Sequence, residues 1–262
     1  MDNAAAATGT GTYIYAIVPA EAFQGGDQQL TAKGLGESDG RVRILQQGDL
    51  AAIVSDVPLM QYDVTEENLT AHQRVLDEVM ERSDVLPVSF GIVATNDEEI
   101  KQVLLEAQSE ALHQSLDYVK GRVELTLQVL WNQDQLFREI AEENQEIQQL
   151  RDAIVGQPVE ATYNERVRLG ELVAASVQQK TEQEANSILQ ALQPLAVETK
   201  LNENMTDTML LNAAFLVDKD KLSEMDDKVG QVSQSQSDRM IFRYVGPLPA
   251  YDFVNVRVSL GQ

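Results

Sequence analysis

The stretch "RVELTLQVLW" (Arg122 to Trp131) alternates without a break, placing Val123, Leu125, Leu127, Val129 and Trp131 on one face. Side chains of a strand alternate in direction, so this segment needs one face covered by other apolar groups. A second run, "TMLLNAAFLVD", is apolar almost throughout and predicts a central strand with both faces buried. "LAVETKL" precedes it as a further strand, and "RMIFRYV" is the last one. Between the first two lies a long helix over about Glu160 to Gln193, with an apolar stripe of Leu169, Leu172, Val173, Val177, Ile188 and Leu192. Polar residues from Lys180 to Glu184 interrupt that stripe. Asp218 is placed to cap another helix, with Leu222, Met225, Val229 and Val232 on one side. The order strand, helix, strand, strand, helix, strand is the split βαβ, ferredoxin-like plan. An acidic, Gln-rich stretch from Asn132 to Leu150 is inserted into it as one or two surface helices.

The first half is also α+β. "TYIYAIVP" is a strand stopped by Pro19, and a glycine-punctuated segment follows, with Gly25, Gly26, Gly34 and Gly36. "RVRILQQGDLAAIVSDV" predicts a hairpin about Gly48-Asp49. Asp63 and Glu66 have capping-box spacing ahead of a helix with Leu69, Leu76, Val79 and Met80 on its apolar stripe. "VLPVSFGIV" is a buried extended segment whose proline places it at an edge or a bend. Asn96 and Glu99 cap the next helix, with Ile100, Val103, Leu104, Ala107 and Ala111 facing inward. The expected division is a flexible tail over residues 1–11, an α+β domain over 12–120, and a ferredoxin-like α+β domain over 121–262 carrying the acidic insertion and a C-terminal tail.

Composition narrows the chemistry. With 20 basic against 42 acidic side chains the chain carries a formal charge of −22. Phosphate backbones and anionic bilayers are bound by clustered Lys and Arg, so neither nucleic acid nor a lipid membrane is the expected partner. There are no cysteines, which removes disulfides and thiolate chemistry. The opening "MDNAAAATGTGT" lacks the basic and apolar regions of a signal peptide, and no run is long enough to span a bilayer. An intracellular location is expected.

No catalytic, cofactor-binding or metal-ligating residue is assigned. The two histidines, His72 and His113, form no H-E-x-x-H pattern. His72 lies on a helix stripe between Leu69 and Leu76 and is read as a hydrogen-bonded packing residue, and His113 as a surface one. The acidic stretch has no spaced oxygen-ligand loop. Gly34-Leu35-Gly36 lacks the third glycine of a dinucleotide fingerprint. There is no G-x-S-x-G, S-x-x-K or phosphate-binding loop. The residues therefore point to a non-enzymatic protein with no cofactor. A small-ligand-binding regulatory module built on a ferredoxin-like domain is the alternative, and a cryptic hydrolase using His72 is a third.

Several phrases occur together in order: "YIYAIVP", "GLG", "GDLAAIVSDVP", "AHQRVLDEVM", "VLPVSFGIV", "VELTLQVLW", "ERVRLGELV", "MLLNAAFLVDKD" and "YVGPLPAYDFV". From Tyr13 to Val254 the chain resembles the gas vesicle protein F/L family, and F more than L. The Ala-rich N-terminus and the acidic stretch have no matching phrase. The resemblance implies two α+β domains, the second a modified ferredoxin-like one. It also implies a minor structural or assembly component of gas vesicles, the protein-walled compartments that give buoyancy. The partners it implies are the shell subunit, gas vesicle protein A, and other accessory proteins. The location it implies is the vesicle shell, with a cytoplasmic pool during assembly. It brings no catalytic residue.

The ending "RYVGPLPAYDFV" is read as a strand that stops at Val245, because Pro247 and Pro249 remove donors and fix φ. Tyr251 and Phe253 then fold back as a C-terminal latch, with recognition by a proline-reading domain as the other option.

Overall fold

A computed structural model describes residues 9–24, 29–36 and 40–256. The Gly25-Gly26 pair, most of the expected N-terminal tail and residues 257–262 lie outside the described residues. The chain divides into two compact units, 1–124 with 247–262, and 125–246.

In the first unit β1 (Thr10–Pro19), β2 (Val42–Gln47) and β3 (Leu50–Pro58) are antiparallel, with β3 lying between β2 and β1. The β2–β3 turn is Gly48-Asp49, with Gly48 at φ 62°, a conformation that glycine adopts without Cβ strain. The extended "VLPVSFGIV" segment gives two short strands, β4 (Leu86–Pro87) and β5 (Val93–Ala94), both paired with β1. The sheet order is β2-β3-β1-β4, with β5 also on β1.

Helix α1 (Glu66–Met80) is capped by Thr65, whose hydroxyl accepts from the Asn68 amide, and not by Asp63. The Asp63 carbonyl instead bonds the Thr65 amide and the Asn68 side chain, which starts the helix two residues later than its acidic spacing suggests. Leu69, placed on the buried stripe, is 42% exposed, while His72, Val75, Leu76 and Val79 are buried. Asn96 caps α2 (Asp97–Glu99) as expected, its Oδ1 accepting from the Glu99 amide. That helix then widens into π-helical turns over Ile100–Glu106 and breaks before α3 (Ser109–Val119). The insertion of π geometry rotates the stripe, so Leu105 is buried and Val103 is not.

A β-bulge in β1 has the largest effect on what the unit can hold. The pairing with β3 steps from Ile14↔Val54 to Ala16↔Ile53, leaving Tyr15 as the extra residue. Parity therefore switches, and Tyr13, Tyr15, Ala16 and Val18 all join one core with Val75, Leu76 and Val79 of α1.

The chain enters the second unit within β6 (Arg122–Trp131) and leaves it within β9 (Met240–Leu248). The alternating face predicted for β6 is buried from Val123 to Trp131. The acidic stretch forms α4 (Gln133–Glu143) and α5 (Gln145–Ile154), which pack on α6 (Tyr163–Leu192). Then come β7 (Glu198–Leu201), β8 (Met209–Asp218), α7 (Leu222–Ser235) and β9. The Asp218 side chain does not cap: a 3-10 turn over Lys219–Lys221 separates it from α7. The second antiparallel sheet has the order β7-β8-β6-β9, with β8 buried along nearly its whole length.

Two expectations for the C-terminus differ from the structure. The last strand does not stop at Val245; β9 runs on through Gly246 and Pro247 to Leu248. It is an edge strand, where a missing amide donor costs no ladder bond if it points outward. The segment from Pro247 onward also groups with the first unit instead of closing the second, because its polar contacts are to His72 and Glu124.

Candidate functional site

Four side-chain constellations concentrate the polar chemistry, three in the first unit and one in the second. The first surrounds His72, which is 3% exposed. Its Nδ1 lies 3.0 Å from the Tyr13 hydroxyl and its Nε2 3.1 Å from the Tyr251 hydroxyl. The rings of Tyr13, Tyr15, Tyr62, Phe90 and His72 pack at centroid separations of 4.8–6.1 Å, mostly tilted or edge-on.

Hydrogen-bond satisfaction fixes the direction of this chain of bonds. The Gly91 amide donates to the Tyr13 oxygen at 2.9 Å. Tyr13 is fully buried, so its own hydrogen needs an acceptor, and His72 Nδ1 supplies it. His72 is then the Nε2–H tautomer and donates to Tyr251. Burial holds it neutral, with a pKa pushed down to about 4. Burial likewise raises Tyr13, and raises Tyr251 with the help of the Glu124 and Asp77 carboxylates. Both ring nitrogens of His72 are thus engaged by tyrosine hydroxyls. Beside it, Leu69, Thr70, Gln73 and Phe90 line a hollow of ≈ 430 Å³ that His72 and Tyr251 complete.

Tyr15 anchors a closed cycle next to this cluster. The Leu35 amide donates to the Tyr15 oxygen at 2.7 Å, the Tyr15 hydroxyl donates to Ser55 Oγ at 2.8 Å, and Ser55 donates to the Leu35 carbonyl at 3.3 Å. This explains "GLG". A Cβ at Gly34 would sit 2.1 Å from the Tyr15 oxygen, and Gly36 has φ 112°. The glycines serve a tyrosine, not a pyrophosphate.

The second histidine is shifted the opposite way. His113 Nδ1 is 2.7 Å from the Ser109 carbonyl and Nε2 is 2.9 Å from Asp49 Oδ2. Both partners accept, so the protonated ring satisfies both contacts. The Ser109 bond first, then Asp49, raises its pKa.

In the second unit the polar interruption of α6 becomes an ion network. Glu139 of α4 accepts from Arg239 Nε at 2.8 Å and Lys180 at 3.0 Å. Arg239 also reaches Glu184 at 2.6 Å, and Lys180 reaches Glu143 at 2.8 Å. The Arg239 guanidinium lies 5.8 Å from the Trp131 ring centroid, and the indole N–H donates to Thr181 at 3.0 Å. Arg239, then Lys180, hold the Glu139 carboxyl down at about 2 against the opposing effect of burial. The sequence reading passed over Tyr13, Tyr15, Ser55, Glu139 and Arg239. The one visible signal was a pair of tyrosines two apart at the start of an apolar strand.

These features define a two-unit α/β protein built on two antiparallel sheets, with its buried polar groups engaged in packing and clamping. The family model described as gas vesicle synthesis protein GvpL/GvpF matches residues 11–255. The chain belongs to the GvpL/GvpF family. It is 31% identical over 245 residues to gas vesicle protein F of a Streptomyces species, spanning 93% of this chain and 99% of the relative. It is 25% identical to gas vesicle protein F1 of Halobacterium salinarum, spanning 95% of each. The crystal structure of GvpF from Microcystis aeruginosa superposes with a TM-score of 0.74 at 26% identity, covering 93% of this chain and 98% of that one. GvpF from Anabaena shares the fold at a TM-score of 0.80 and 23% identity, covering 95% and 99%.

Proposed function

We infer that this chain serves gas vesicle formation as a non-catalytic structural or assembly component at the vesicle shell. It engages the small shell subunit, gas vesicle protein A, together with other accessory proteins, and so supports buoyancy. The observation that carries this is the family match over nearly the whole described chain, residues 11–255, with relatives named gas vesicle protein F. The engagement of both His72 nitrogens supports a non-catalytic role. The order β7-β8-β6-β9, with α6 and α7 between strands, supports a ferredoxin-like plan for the second unit. The Tyr251–His72 and Asp252–Glu124 bonds support a C-terminal segment that latches onto the first unit.

The test is deletion and complementation in a vesicle-forming strain, with pulldown of the purified chain against the purified shell subunit. Loss of floating cells on deletion and capture of the shell subunit are expected. Normal vesicles in the deletion strain would overturn the role, and failure of capture would overturn the partner.

A further inference from the structure

The long helix α6 carries one apolar stripe that the fold uses over only half its length. Positions 163, 167, 170, 174, 177, 181, 185, 188 and 192 follow each other at intervals of four and three, the spacing of a helix–helix seam. At the C-terminal end this stripe is core: Leu192 is 0% exposed and Ile188 3%, and Ala185 packs against the same cluster. Val177 and Thr181 are half-buried. At the N-terminal end the same stripe lies open, with Tyr163 65% exposed, Val167 44%, and Gly170 and Ala174 exposed beyond them. The opposite side of this half is already occupied, since Leu169, Leu172 and Val173 pack inward and α5 lies against α6.

We propose that the Tyr163–Val167–Gly170–Ala174 face of α6 is a docking seam for a basic amphipathic helix of a partner protein. Three features set that chemistry. A Cβ at Gly170 would meet nothing within 4 Å, and with Ala174 one turn on, the backbone is open to close approach by another helix. Tyr163 and Val167 supply the large apolar contacts above that flat. One rim of the seam is acidic: Glu171 and Glu182 stand eleven residues apart, close to three full turns, and Glu160 stands eleven before Glu171 in the preceding 3-10 turn. All three are exposed, and none makes an ion pair among the described residues. The nearby cations are engaged elsewhere, Arg168 with Glu146 and Arg166 with Thr162. A second copy of this chain would bring its own acidic rim and a charge of −22 to the seam, so self-association there is repulsive.

This surface rests on the reading that the chain works by holding another protein. The probe is a fluorescent synthetic peptide of about three heptads, with Leu at seam positions and Lys on the flanks, beside a matched peptide with Glu in place of Lys. Anisotropy of the full chain with each peptide should show binding of the Lys peptide at least about tenfold tighter than the Glu peptide. Val167→Glu with Ala174→Glu should weaken Lys-peptide binding at least about tenfold, and Gly170→Leu should do the same by bulk. Both leave the helical circular dichroism unchanged because the replaced groups are exposed. Glu160→Lys with Glu171→Lys should shift preference toward the Glu peptide. Equal binding of both peptides by the native chain, or native affinity in both seam variants, overturns the proposal. The peptide assay needs no vesicle, so its failure removes the surface alone, whereas normal vesicles in cells lacking the chain remove the function alone.

Discussion

Lowering the pH from 7 to 4 isolates what His72 does for the first unit. An unfolded histidine takes up its proton near pH 6.5, whereas the buried ring, already donating to Tyr251 and accepting from Tyr13, resists until about pH 4. Between those values the unfolded chain binds more protons, so stability falls as the pH falls, and below about 4 the loss levels off. The gap of about 2.5 pH units, at about 1.36 kcal/mol each, amounts to about 3 kcal/mol. Carboxylates complicate the raw curve, since protonating them relieves the repulsion of a chain at −22. The informative quantity is therefore the difference between the native chain and His72→Gln. Gln at this position costs stability at pH 7 through lost hydrogen bonds, and that deficit should shrink by about 3 kcal/mol on reaching pH 4. Urea titrations followed by near-ultraviolet circular dichroism of the tyrosine cluster read it directly. With only two histidines, the imidazole C2–H resonances give an independent check. One midpoint is expected near 4 and the other, from His113, above the usual 6.5. A His72 midpoint at 6.5 or higher, or a deficit independent of pH, would refute the bond directions assigned to this cluster.

Other perturbations test the remaining constellations. Gly34→Ala should destabilise the first unit by about 2 kcal/mol, because its methyl would meet the Tyr15 oxygen at 2.1 Å. Tyr15→Phe in the same chain should recover only part of that, since the ring carbon is 2.8 Å from the new methyl and the Leu35 amide loses its acceptor; urea melts of both variants compare them. Glu139→Gln should lower stability above about pH 4.5, with the difference from the native chain vanishing as the pH falls through about 2, because the Glu139 carboxyl is depressed by Arg239. The same difference should shrink in high salt, as measured by thermal melts. A chain ending at Leu248 loses the Tyr251–His72 and Asp252–Glu124 bonds and should melt lower, and Tyr251→Phe alone should cost about 1 kcal/mol. Unchanged melting of the truncated chain would rule out the latch.

What could be read from the sequence was whatever local period dictates. The alternation of β6, the apolar run of β8, the Gly48-Asp49 hairpin and the Asn96 cap each depend on neighbours within a few residues, and each stands in the structure. What could not be read depends on partners far along the chain. The bulge at Tyr15 is set by pairing with residues about forty positions away, and without it Tyr15 would not share a core with Ala16. His72 was recognised as a hydrogen-bonded packing residue, but one of its partners, Tyr251, lies 179 residues later. Lys180 and Glu184 interrupt an apolar stripe for no local reason; the reason is Glu139 on α4 and Arg239 ahead of β9. Pro247 was read as a strand terminator because its edge position is a property of the sheet and not of the dipeptide.

The central polar clusters of the two units rest on different physics. That of the first is a set of neutral hydrogen bonds among tyrosine, histidine, serine and backbone groups that are almost wholly buried, with the Arg43–Asp56, Arg43–Asp97 and Arg82–Glu78 ion pairs outside it. Such hydrogen bonds are indifferent to salt, yet they fail once acid charges the ring at their centre. The second holds α4 to α6 through carboxylates and cations with side chains 13–64% exposed. The Glu139 pairs survive to much lower pH because Arg239, then Lys180, hold that carboxyl down at about 2, but ionic screening weakens them. Mild acid should therefore loosen the tyrosine–histidine cluster of the first unit while Glu139 keeps α4 clamped to α6. For a seam on α6 that recruits a basic helix, the consequence is specific. Salt weakens both the seam's attraction and the clamp that steadies its helix, so binding should decline with ionic strength more steeply than the three exposed rim charges Glu160, Glu171 and Glu182 alone would require.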